Sequence, residues 1–467
     1  MPSVRSSERG ESSEIERRVA AARRLTDTLT AQGVRAVAIT IVDNAGVARV
    51  KTVPVGLLER STRWGIGLTP AFGVFMVNDS ITTSPAVGGP TGDLRLMLDP
   101  AAIRVLAAQP GWAWAPADQW TQEETVFSCC QRSFTRRMVE QAAQSGFELR
   151  VGTELEWFLG REDNGKLVAG PQGPAYGFSS LAEVSDYARD LLEALQRTGI
   201  AVDQFHPEYA SGQLEVSLAH TGPVEAADLN VVTRQTIRAV GVSRGWRTSF
   251  SPVVVPGEVG NGGHFHFSLQ RDGRNLFAGG DGPYGMTEIG SSFIAGVLAE
   301  LPALLAVGAP SMASYLRLVP SHWAGVYGCW GRENREAAIR FVTGMIGSAE
   351  AAANFEVKCF DESANPYLAI GCTVAAGLAG VDQGLRLPPE FPDDPATHPD
   401  DELEALGVRR LPTTLDESLK RLESSTVIED ALGPALHGAL VAVRRAELEA
   451  FGGMDAEGVA NAHRWRY

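Results

Sequence analysis

Disulfide chemistry has almost nothing to work with in this chain. Five cysteines occur among 467 residues, Cys129, Cys130, Cys329, Cys359 and Cys372. The number is odd, two are adjacent and no CxxC spacing occurs. That pattern gives no indication of a disulfide framework or a cysteine-built zinc cage, and fits reduced thiols in a cytoplasmic protein. Basic residues are in deficit, with 41 Lys and Arg against 56 Asp and Glu and a formal net charge of −15. A surface of that sign repels nucleic-acid phosphates and anionic membranes, so neither is expected as a partner. The opening stretch MPSVRSSERGESSEIERR has no apolar core, and no signal peptide is expected. The most apolar long stretch, Phe293 to Ala313, is interrupted by Glu300, Pro302 and Pro310, which predicts buried helix rather than a membrane span. Neither a GxxxxGK[ST] loop nor a GxGxxG after a strand is present, so a nucleotide site would be of another type.

The length exceeds that of a usual single domain, and two domains are expected. Residues 1–14 read as a solvated tail, followed by a helix that stops at Gly33. Val37, Ile39 and Ile41 alternate as in a strand, Asp43 to Gly46 supplies a turn, and Val47 to Val53 returns as a hairpin. Trp112 to Gln122, rich in Trp, Pro and Ala, reads as a connector between a domain over 15–122 and a larger one over 123–467. Further helices are expected over Ser133 to Ser145, from a capping box at Ser180 to Gly199, and from about Val224 to Ser243. The Pro- and Asp-dense Leu387 to Asp401 reads as a surface loop, and Thr414 to Phe451 as helical.

Four short segments share one pattern. Val151 to Leu159 alternates apolar residues with Glu154 and Glu156; Gln213 to Ala219 alternates them with Gln213, Glu215 and Ser217. Gly263 to Leu269 alternates Phe265, Phe267 and Leu269 with His264, His266 and Ser268, and Asn354 to Phe360 sets Glu356 and Lys358 against Phe355, Val357 and Cys359. A strand repeats every two residues, so each segment packs one face and presents acids or histidines on the other. Glu208 precedes Glu215 across a short turn. If these strands are neighbours, five carboxylates and a histidine converge, and crowded like charges of that kind are relieved by Mg²⁺ or Mn²⁺. A solvated face of an ordinary antiparallel sheet would also present acids, though it has no use for two histidines beside paired glycines in Asn261-Gly262-Gly263-His264-Phe265-His266. A second cluster, Arg317, Arg332, Arg335 and Arg340, lies in a stretch rich in Trp, Gly and Pro. Guanidinium forks suit phosphate and carboxylate, and with metals and acids they describe phosphoryl transfer.

The segments VGTELEWFL, HPEYASGQLEV, NGGHFHFSL, SYLRLVP, RENREAAIRF and FEVKCFDESANPYLA resemble, in order, the catalytic signatures of the glutamine synthetase family. DNAGVARVKTVP and LPTTLDESLKRLE extend the likeness over nearly the whole chain. The resemblance implies an α+β fold, with a small β-grasp-like N-terminal domain and a catalytic domain built on a curved antiparallel sheet. It implies homo-oligomers, usually dodecamers, with active sites between subunits. Carried over by motif, Glu156, Glu208 and Glu215 would hold one metal and Glu154, His264 and Glu356 the other. His266, Ser268 and Arg340 would lie near ATP, Asn261, Gly262 and Arg317 would contact glutamate, and Arg335 and Arg340, with Glu208, would serve the chemistry. ATP would phosphorylate glutamate to a γ-glutamyl phosphate, and an amine would displace phosphate.

Three positions depart from the ammonia-using pattern. Trp323 stands in RLVPSHWAG where those enzymes have an acid that closes the ammonium site. Gly67 to Ala71 replaces an aspartate-bearing segment, and Lys358 replaces an arginine. With Tyr176 at a position that lines the same pocket, the likeness is to the branch making γ-glutamyl derivatives of organic amines such as ethanolamine or polyamines. An authentic ammonia-using synthetase and a non-catalytic relative are the alternatives. The stretch Leu385 to Glu390 lacks the tyrosine that many relatives adenylylate there.

Overall fold

The computed structural model describes residues 4–164 and 166–467, with side chains from residue 15 on. The first three residues of the expected tail lie outside the described residues. From Val4 the backbone is already helical, in a single helix over Val4–Ala31, so the tail reading is corrected from residue 4 onward. The segment carries several Glu and Arg residues that are good helix formers and no proline to stop the helix earlier.

An N-terminal sheet follows, built of β1 (Ala36–Val42), β2 (Ala48–Pro54), β3 (Ile66–Leu68), β4 (Leu94–Leu98), β5 (Arg104–Val105) and β6 (Trp112–Trp120). Its order is β2-β1-β6-β4-β3, with β5 beside β6. The β1–β2 hairpin forms as the alternation predicts. At its turn the Asp43 carboxylate accepts from the N–H groups of Ala45 and Val47, and Gly46 takes a φ of 81° that suits glycine. Trp112 to Gln122 is not a connector. It forms β6, parallel to β1 and antiparallel to β4, and every residue from Ala113 to Trp120 is buried. Its Trp, Ala and Pro content suits a strand buried on both faces, and that composition carries no period to read.

The second sheet is larger and mixed. It comprises β7 (Glu148–Asp163), β8 (Lys166–Ala169), β9 (Val202–Pro207), β10 (Gln213–Thr221), β11 (Arg247–Ser249), β12 (Gly263–Arg271), β13 (Arg274–Asn275), β14 (Tyr327–Arg332), β15 (Ala337–Val342) and β16 (Asn354–Val357). The main path runs β14-β15-β16-β12-β7-β10-β9. All its pairings are antiparallel except β14 with β15, which departs from the wholly antiparallel sheet expected. The α+β class holds.

Helices cover the sheet's apolar face. Glu288–Gly308 is long and apolar enough to cross a membrane, yet it packs inside the fold against Pro366–Asp382. Gly296 and Gly380 meet at that contact, where a Cβ on Gly296 would stand 2.7 Å from the Gly380 Cα. The expected capping box at Ser180 does not form: the Ser180 hydroxyl donates to the Pro174 carbonyl. The helical stretch divides at Val184 into Phe178–Glu183 and Ser185–Thr198. Thr414 to Phe451 is three helices, broken at Ser425 and Gly433.

Candidate active site

Neighbouring strands bring the four patterned segments side by side. Glu154 of β7 lies opposite His264 of β12 and Ser217 of β10. Glu156 lies opposite Glu215, itself opposite His206 of β9. Glu356 of β16 lies opposite His266 and Arg340. The intervening Leu155, Trp157, Val216, Phe265 and Phe355 are buried in the core, so packing fixes which face the acids take.

Two groups of three result. In Glu154, His264 and Glu356, and again in His206, Glu208 and Glu215, the three ligand atoms lie within 4.8 Å of one another. In the first group His264 Nδ1 is 3.3 Å from Glu154 and 3.6 Å from Glu356. In the second, His206 Nδ1 is 3.5 Å from Glu208 and its Nε2 is 3.5 Å from Glu215. Glu156 lies beside the first group, 3.8 Å from His264. Its other oxygen accepts from the Gly262 N–H at 2.7 Å and from Gln213 at 2.8 Å. Gly262 is there for closeness rather than flexibility, since a Cβ would stand 2.8 Å from Arg317 Nη2.

Charge is unevenly balanced between the groups. Burial works to raise Glu356, yet Lys358 and the two histidines hold it at about 2. Burial likewise opposes the charge on Glu154, and His266 and His264 hold that carboxyl well below its usual value. His266 is desolvated but lifted to about 9 by Glu154 and Glu356. Glu215 has no such support: burial, then the charges of Glu154, Glu156, Glu208 and Glu356, push it up to about 10. Glu208 is raised too, by burial and by Glu156. Carboxylate oxygens with one imidazole in each group fit a divalent cation, and the second group has the greater need of one. His206 was not anticipated. The alternation of Gln204 and His206 around Phe205 was its only signal, in a strand of six residues.

These groups floor a cavity of about 790 Å³, whose lining includes Tyr176, Arg317, Trp323, Arg335, Arg340 and Lys358. Arg317 is buried; its Nη2 donates to the Lys358 carbonyl at 3.2 Å and its Nη1 has no partner among the described residues. Arg340 is clamped by Glu356 at 3.1 Å and Glu333 at 2.9 Å. Among the described residues, Arg335 is held only by stacking over Trp323, 5.9 Å from the ring centre. Lys358 spends its ammonium on Glu356 at 3.0 Å. Trp323 is 50% exposed at the mouth, and Tyr176 stands against the His206 ring at 5.9 Å. Tyr176, Ser321, Trp323 and Glu333 all have φ between 53° and 60°, a conformation that non-glycine residues keep only where their surroundings enforce it.

Four expected site residues are absent from the lining. Asn261 is buried and donates to the Ser251 carbonyl at 2.8 Å, Gly262 supports Glu156, and His266 lies between Asn354 and Glu154. Ser268 is further along β12. Arg332 is also absent from this lining and lies over the Tyr284 ring at 4.6 Å.

Comparison with known proteins agrees with this layout. The family model for the glutamine synthetase catalytic domain matches residues 128–460, and that for the N-terminal domain matches residues 20–126. The chain is similar to gamma-glutamylpolyamine synthetase GlnA3 of Streptomyces coelicolor, at 50% identity over 98% of each chain. It is also similar to the glutamine synthetase of Halobacterium salinarum, at 30% identity over 88% of this chain and 89% of the other. Among solved structures, a novel glutamine synthase homolog superposes with a TM-score of 0.83 at 31% identity, covering 93% of this chain and 99% of that one. A GmaS complex with ADP superposes with a TM-score of 0.81 at 25% identity, covering 92% and 97%. The chain therefore belongs to the glutamine synthetase family, whose enzymes use ATP and a divalent metal, and is a glutamate–amine ligase.

Proposed function

We propose that the protein joins the γ-carboxylate of glutamate to a primary organic amine, with a polyamine as the leading candidate. The observation that carries this reading is Trp323, an indole lining the same cavity as Tyr176 where ammonia-using relatives place an acid. Ammonium needs negative charge and a tight lid, whereas an alkylamine needs an apolar wall for its methylenes. The name of the Streptomyces relative supports the same class of substrate.

Glu154, His264 and Glu356 would hold one Mg²⁺ or Mn²⁺, and Glu208, Glu215 and Glu156, with His206, the other; when bound, the cations neutralise the phosphate oxygens. Arg317, with its open buried edge, would take a glutamate carboxylate. A γ-carboxylate oxygen attacks the terminal phosphorus of ATP and ADP leaves. Arg340, fixed by two acids, and Arg335, at the cavity wall over Trp323, would offset charge on the transferring group. The amine nitrogen then attacks the acyl carbon, phosphate departs, and Glu208 would take the proton the nitrogen loses. His266 and Ser268 would act on the nucleotide side only through neighbours, since neither lines the cavity. Lys358 would act through Glu356, and Asn261 and Gly262 by shaping the glutamate pocket. We place the enzyme in the cytoplasm as a homo-oligomer, a dodecamer by family likeness, with sites between subunits.

Phosphate release with ATP, Mg²⁺ and glutamate across a panel of amines, ammonium included, tests the reading. Organic amines are expected to exceed ammonium in kcat/KM. Trp323→Glu should lower kcat/KM for the organic amine about tenfold, or ~1.4 kcal/mol, and raise it for ammonium. Ammonium used at least as well as every organic amine would reject the proposal in favour of plain glutamine synthesis.

A further inference from the structure

Beside Trp323 lies a second concavity of about 640 Å³, and Ser321, Trp323 and Arg335 line both it and the main cavity. Its remaining wall is mostly acidic, from Glu333, Glu336, Asp393 and Asp394, with Arg332. Glu336 is the unusual member. It is 6% exposed, and one carboxylate oxygen accepts from the Trp323 N–H at 2.8 Å. The other oxygen is buried with no hydrogen-bond partner among the described residues. Burial raises this carboxyl above its ordinary value.

Holding the Trp323 backbone in its left-handed conformation requires one acceptor oxygen, which a glutamine would supply as well. The second oxygen is not needed for that hold; the Ser321 backbone and the Lys358 charge favour the ionised carboxyl, but burial outweighs them. Of the nearby cations, Lys358 pairs with Glu356 and Arg340 with Glu333, while Arg332 lies over Tyr284 and Arg335 over Trp323. Among the described residues the Asp393 carboxylate meets His398 at 3.9 Å, and Asp394 accepts from the Ala396 N–H. A buried unpaired carboxylate at a cavity wall favours a cation that arrives with the substrate.

We propose that this concavity is the subsite for the distal ammonium of a linear di- or polyamine, with Glu336 as its chief partner and Asp393 and Asp394 at the rim. The proposal rests on the organic-amine reading above and narrows it to amines with a second positive charge. The reacting nitrogen would lie in the main cavity, the methylenes against Trp323, and the second nitrogen at the free Glu336 oxygen.

The test compares 1,4-diaminobutane with n-butylamine, equal in length but for the second nitrogen, in the wild-type enzyme and in Glu336→Gln. The wild type should prefer the diamine, and Glu336→Gln, which retains an acceptor for Trp323, should cut the diamine-to-butylamine ratio of kcat/KM at least tenfold, chiefly through the KM of the diamine. A paired Asp393→Asn and Asp394→Asn variant, which leaves the Trp323 contact alone, should lower the same ratio severalfold and provides the answer if Glu336→Gln does not fold. A ratio unchanged by either variant, even with slower turnover of both amines, would overturn the subsite and reduce Glu336 to a support for the loop. A wild type that uses butylamine as well as the diamine overturns the subsite alone. A wild type that favours ammonium over both overturns the organic-amine reading and this inference with it.

Discussion

Glu356 and Glu215 are both buried glutamates on adjoining parts of one sheet, yet their charges have opposite fates. Lys358 and two histidines hold Glu356 ionised, whereas Glu215 faces four other carboxylates and is pushed up to about 10. A divalent cation entering the second group must therefore displace a proton that one entering the first need not. Mn²⁺ titration of the whole enzyme at pH 7 in weak buffer is expected to release protons. The affinity of the weaker class of site should rise with pH between 6 and 9, because the cation competes with a proton bound below pH 10. His206→Ala should weaken that class by about 10- to 100-fold while leaving the class held by His264 in place, and His264→Ala should do the reverse. Equal effects of both variants on both classes would mean that the two groups do not act as separate sites. Of the residues involved, the acids and His264 were legible because strand alternation set them against buried Leu155, Phe265 and Phe355. His206 was not, since three alternating residues in a short strand cannot be told from chance. Nor could the sequence reveal that Gly262 is needed for its lack of a Cβ.

At the scale of elements, β6 is joined to the catalytic half through Asp118. Against the effect of burial, the guanidinium groups of Arg132, Arg136 and Arg18 hold Asp118 well below its usual range. Arg132, on the helix Gln131–Gln144, also reaches Asp99 and Asp228 at 2.9 Å each. A carboxylate with a depressed folded-state pKa contributes stability above its unfolded value near 3.9 and loses that contribution as the pH falls through the folded value. Asp118→Asn should cost about 3 kcal/mol at pH 7, because three arginines lose a buried counter-charge. Its thermal midpoint should lie well below that of the wild type at pH 7, and the gap should narrow toward pH 3. A variant that melts with the wild type at pH 7 would show that the network does not tie the two sheets together. The sequence concealed this link because β6 reads as a Trp- and Pro-rich connector. A strand buried on both faces shows no alternation, and its one charged side chain gains meaning only from partners far along the chain. The parallel β14–β15 pairing was hidden for a related reason: strand period reports which face is buried and not which way the neighbour runs.

At the scale of the molecule, the apolar segments divide into those the fold covers and those it leaves open. Glu288–Gly308 belongs to the first kind, as its Pro and Glu interruptions foretold. Met345 and Ile346 belong to the second, being consecutive and exposed between β15 and β16, and Phe178 is 85% exposed. Exposed large apolar residues of this sort are costly in a monomer and ordinary in an assembly that covers them. The proposed ring of identical subunits would supply that cover and would complete cavity mouths that remain open in one chain. Ile346→Asp places a charge where a neighbour would pack and leaves the core untouched. Light scattering on the eluting protein should then show a smaller species than the wild type, with an unchanged circular dichroism spectrum. If neighbours complete the site, specific activity should fall in step with the mass. A wild type that elutes as a fully active monomer would remove the assembly from the account, and Ile346 would be left as a solvent-facing loop residue.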